Sequence, residues 1–188
     1  NFANLFMTSP EINIDPTIAG SVVGTYWFLM MIGRLCGASI GAKVSSRAML
    51  TVVSTVGIAL VLGAIFCADN ILVNMPVFKS DISFGFAQVP VNVMLLILCG
   101  LCTSVMWGGI FNLAVEGLGK YTAAASGLFM VMVCGGGILP LIQGGVADFA
   151  GFLNSYWVIA LGLAYILFYA AIGSKNVNTD IPTDDYEA

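Results

Sequence analysis

Arg34 is the one basic residue set inside a long apolar run of this chain, and a cation there needs either a partner or a route to water. It lies nine residues before Lys43, which is about 13 Å along a helix rising 1.5 Å per residue. At mid-bilayer an arginine costs on the order of 2.5–3.5 kcal/mol, and less where its long stem lets the guanidinium reach the interface. Two readings stay open: the side chain snorkels to headgroups, or it pairs with Glu116, the acidic residue closing a later apolar run. Other polar side chains within such runs are few, chiefly Tyr26, Trp27, Ser104, Trp107, Asn112 and Gln143. Aromatic faces against CH surfaces, with amides and hydroxyls against hydroxyl groups, are what a sugar requires. Tyr26, Trp107, Asn112 and Gln143 are therefore candidate contacts to one. Interhelical hydrogen bonding and interfacial anchoring are equally familiar uses of these side chains.

Other chemistries lack their parts. The chain has no histidine, so neither a Ser-His-Asp triad nor a histidine-containing zinc site can form, and no phosphate loop or GxGxxG occurs. Cys99 and Cys102 form a single CxxC within a run of Leu, Ile and Gly, and the five cysteines read as small apolar core residues. No cofactor, metal or nucleic acid is expected, and the chain is not read as an enzyme. The segment Gly135-Gly136-Gly137-Ile138-Leu139-Pro140 disfavours regular helix, because each glycine costs about 1 kcal/mol relative to alanine and proline removes a backbone donor. A bend is expected there, as a static kink or as a moving gate.

The elements holding these residues follow from charge. Only 9% of the 188 residues are charged and 59% are hydrophobic, against about 25% charged in soluble domains. Uncharged intervals at 16–33, 48–68, 82–115, 121–147 and 149–174 are each long enough for a membrane-spanning helix. The expected helices are at about 17–42, 48–68, 91–115, 122–147 and 154–173, with 69–90 a loop and 174–188 an acidic tail. Fold class is thus an all-α polytopic membrane bundle with five spans. Lys43, Arg47, Lys120 and Lys175 fall on one side and Lys79 alone on the other, which puts the carboxyl terminus in the cytoplasm.

The count of spans is odd and the start NFANLFMTSP has no basic leader region. A preceding helix is expected upstream, with residues 1–8 its end. Restoring it makes the runs with Gly20, Gly24, Gly33, Gly37 and Gly41 and with Gly127, Gly135–Gly137, Gly144 and Gly145 the second members of two triplets. Inverted repeats would produce that correspondence.

Two segments carry a family likeness. MIGRLCGASIGAKVSSRAML (31–50) resembles the GR-x-x-G helix and basic loop of the sugar:proton symporter branch of the major facilitator superfamily, the fucose and glucose/galactose carriers. FNLAVEGLGKYTAAASGLFMVMVCGGGILPLIQGGVADFAG (111–151) resembles that branch's signature, with its EGLG turn, GG-x-x-x-P break and terminal G-x-x-AD. Gly108 and Gly109 depart from it, many relatives having Pro-Thr there. The resemblance implies helices eight to twelve of a twelve-helix carrier in the bacterial inner membrane, importing a hexose or deoxyhexose with protons. It implies a missing amino-terminal six-helix half that carries the proton-coupling carboxylates. Gly33, Arg34, Gly37 and Glu116 would then be motif and gating residues, and Gly135, Gly136, Gly137 and Pro140 a gate bend. A membrane-embedded structural or assembly subunit without a transport cycle is the alternative.

Overall fold

A computed structural model describes residues 2–10, 12–67, 71–79 and 83–175. The expected tail from 176 onward lies outside them, whereas Ser174 and Lys175 are described. The chain forms an all-α membrane bundle, with five helical spans among the described residues long and apolar enough to cross a bilayer. Its elements are α1 (Phe2–Met7), α2 (Pro16–Gly41), α3 (Ser46–Phe66), β1 (Leu72–Phe78), β2 (Phe84–Pro90), α4 (Val91–Val115), α5 (Thr122–Met132), α6 (Gly135–Ala150) and α7 (Phe152–Phe168). A 3₁₀ turn, Gly119–Tyr121, leads into α5, and a π turn, Tyr169–Gly173, ends the last span.

Local chemistry sets the ends. Asp15 caps α2 by accepting the Thr17 N–H at 2.8 Å, with Pro16 in the first turn, where its missing donor is harmless. Ser45 caps α3 through the Ala48 N–H at 3.3 Å. After α4 the chain turns at Glu116 with Gly117 at φ 76° and Gly119 at φ 46°, a backbone that side chains with a Cβ resist. The EGLG segment thus has a helix-terminating geometry.

α4 is the central column. It packs on α2 along one side and on α3 along the other, and α3 in turn packs on α7, which pairs with α6. Phe6 and Met7 of α1 are fully buried, and the Phe6 ring meets Phe152 and Tyr156 of α7 at 6.0 and 6.2 Å. Arg47, at the start of α3, donates to the Ser174 carbonyl at 3.0 Å and so ties the beginning of one helix to the end of the last.

One expectation is corrected. The segment expected as a loop at 69–90 contains an antiparallel hairpin of β1 and β2, in register Met75↔Ala87 and Val77↔Gly85. Met75, Val77, Ala87 and Val89 are buried on one face, while Leu72, Phe84 and Phe86 are exposed on the other. Pro76 is tolerated because a two-stranded ladder consists of edges only. Thr25 of α2 anchors the hairpin by accepting the Phe78 N–H at 2.9 Å.

The span expected over 122–147 lies within the single span Gly119–Ala150, which divides into α5 and α6 at the glycine stretch where a bend is expected. Between them, Val133, Cys134, Gly136 and Gly137 each bond the carbonyl three residues back, so the helix tightens through this stretch before α6 runs on to Ala150. Pro140 sits inside α6, four residues after Gly136, whose carbonyl it cannot serve. By contrast, α4 runs unbroken through Gly108 and Gly109.

Candidate functional site

The crossing of α2 and α4 positions the candidate residues, and glycine makes it close. A Cβ on Gly33 would collide with Ser104 Oγ and lie 2.9 Å from the Leu101 carbonyl oxygen, and one on Gly37 would collide with Val105. Gly100 answers from the other helix, where a Cβ would stand 3.0 Å from the Tyr26 carbonyl oxygen. Backbones separated by single hydrogen atoms fix the rotation of both helices, and with it where Tyr26, Arg34 and Trp107 sit.

Tyr26 and Gln143 line one cavity of about 400 Å³, together with Trp27, Thr103 and Tyr156. The Tyr26 hydroxyl is 3.2 Å from Thr103 Oγ1, and either can donate. Gln143 is 5% exposed and makes no hydrogen bond to any described residue, so its amide opens onto the cavity. A polar guest offering both a donor and an acceptor would match that amide. Edge-on packing of Tyr26 against Trp27, with centroids 5.7 Å apart, stiffens the aromatic wall.

Trp107 and Asn112 line a different, more open cleft of about 560 Å³, with Arg34 and Gly37. Phe129 of α5 packs edge-on against both Trp107, at 5.3 Å, and Phe111, at 5.5 Å, and these rings hold α5 to α4. The four candidate sugar contacts therefore divide between two cavities. Arg34 touches the Met30 sulfur at 3.9 Å. Its expected partner Glu116 lines the neighbouring cleft with Arg47 and Ser45, and Asn112 borders both spaces. Arg34 and Glu116 thus occupy adjoining clefts and form no ion pair. Gly135, Gly136 and Gly137 stand where an added Cβ meets nothing within 4 Å. Pro140 follows them in α6, away from both cavities.

Thr103 and Tyr156 escaped sequence reasoning. The adjacent Thr103-Ser104 pair within an uncharged run was the available signal for the first; nothing local marks the second.

Over 172 residues, 91% of its length, the chain is 30% identical to a glucose/galactose transporter of Brucella abortus (strain 9-941), covering 37% of that protein. The chain is a relative of sugar transporters. A shorter match, 33% identical over 92 residues, reaches the L-fucose-proton symporter of Escherichia coli (strain K12), covering 48% of this chain and 21% of that one. The relationship is with the sugar:proton symporter branch of the major facilitator superfamily, to which the GR-x-x-G and EGLG segments pointed. No family model matches the chain, and no solved structure matches it significantly. The chain spans little more than a third of the length of the curated relatives it matches over most of its own.

Proposed function

We propose that this chain is the carboxyl-terminal portion, helices eight to twelve, of a secondary transporter that imports a hexose or deoxyhexose with protons. In this reading the hairpin faces the periplasm and Ser45, Glu116 and Lys175 face the cytoplasm, as the loop cations favour. The remaining six-helix half and the helix before Asn1 supply the proton-coupling groups and the rest of the binding site. Relatives named for sugar transport support the activity and speak against an enzyme.

The observation that carries the reading is Gln143, 5% exposed, with an amide that bonds no described residue and opens onto a cavity shared with the Tyr26 hydroxyl and the Trp27 and Tyr156 rings. Its carbonyl accepts from one sugar hydroxyl while its NH₂ donates to the next, Tyr26 serves a third, and the rings cover the CH face. Trp107 and Asn112 form a further polar wall on the cleft side, open to the other half. The test is uptake of labelled galactose, glucose and fucose by cells expressing the full coding sequence. Uptake abolished by an uncoupler is expected. Sugar accumulation that is absent, or indifferent to the uncoupler, overturns the proposal.

A further inference from the structure

We propose a second monosaccharide subsite in the groove between α2 and the hairpin, with the Trp27 indole standing between it and the Tyr26–Gln143 cavity; this rests on the sugar-transport reading. The groove measures about 440 Å³ and is lined by Ser21, Trp27 and Phe28 of α2 and by Phe78 and Lys79 of the hairpin. Trp27 lines both spaces and is 59% exposed, so one indole is shared between the groove and the interior.

The groove's walls are fixed. Phe28 and Phe78 stack in parallel at 5.0 Å, and the Phe78 N–H is bound to Thr25. The Lys79 stem lies over Gly85, where an added Cβ would come within 3.0 Å of Nζ, so the missing side chain at Gly85 makes the room the ammonium occupies. Lys79 forms no ion pair among the described residues. Ser21 Oγ donates to the Thr17 carbonyl at 3.1 Å and keeps its lone pairs for a guest. A flat aromatic surface, a three-proton donor and a hydroxyl acceptor around one space suit a neutral pyranose, with its CH face on Trp27 and its hydroxyls toward Lys79 and Ser21. A sugar held there reaches the interior when the shared indole turns aside.

The subsite is tested on the full-length protein in vesicles of both orientations, with labelled galactose offered from either side. Lys79→Gln raises the half-saturation concentration about three- to tenfold from the hairpin side. It leaves the maximal rate from that side unchanged, and Lys79→Arg restores the wild-type value. An unchanged half-saturation, or a fallen maximal rate from the hairpin side, overturns the proposal, the latter showing that Lys79 only holds the hairpin's shape. A shift seen only in vesicles containing phosphatidylglycerol also overturns it, since the groove then holds a lipid phosphate. Should the wild type carry no sugar, the transport reading fails, and binding alone decides the subsite. Galactose, glucose or fucose must then slow acylation of Lys79 by an amine reagent, read by mass spectrometry, and absence of protection by all three refutes it.

Discussion

Gly33 and Gly37 show how one missing Cβ decides a helix crossing. Gly33→Ala drives a methyl into Ser104 Oγ and the Leu101 carbonyl, and neither belongs to a freely yielding side chain. Overpacking of this kind costs about 1–3 kcal/mol, so the variant is expected to melt at lower temperature in detergent. Ser104→Gly in the same chain should recover part of the loss, because it removes both the hydroxyl and the Cβ. Failure of the pair to exceed the single variant would refute the contact. At Gln143, alanine removes a donor and an acceptor at once, whereas Tyr26→Phe removes one hydroxyl. The half-saturation for uptake is expected to rise about three- to tenfold for Tyr26→Phe and further for Gln143→Ala. Asp15 offers a pH test. The Thr17 backbone N–H holds its carboxyl below the ordinary carboxylate range. A depressed folded value contributes stability above the unfolded pKa and loses it as pH falls through the folded one. The melting gap between wild type and Asp15→Ala is therefore expected at neutral pH and should close in acid.

Elements differ in how far sequence reveals them, and the difference is physical. The five spans were legible because charge is excluded from the bilayer interior and the chain keeps it scarce in every interval that crosses, Arg34 being the cation set well inside one. The hairpin was not. Its strands carry Pro76, Gly85 and Pro90, which read as loop, and its inward face forms against α2 and α4. Thr25→Val should loosen it: the Phe78 N–H loses its acceptor, at about 0.5–1.5 kcal/mol, and faster amide exchange at Phe78 is the measurement. The bend around Gly135 was visible as a break in helix chemistry, whereas its change of hydrogen-bond pattern was not. Polar candidates stood out by scarcity within the spans. Which of them share a cavity depends on the α2–α4 crossing and on α6 packing against α7, and sequence distance hides both.

For the whole molecule, the decisive relation is between the two ends of the described bundle. Arg47 opens α3, yet its carbonyl partner Ser174 comes 127 positions later, after every other span. During synthesis that guanidinium has no carbonyl partner until the ribosome has delivered four more helices. A chain ended just before Ser174 has α7 against α3 but leaves that guanidinium without its carbonyl acceptor. Chains cut just before Ser174 should accordingly disappear from cells faster than chains cut just after Lys175.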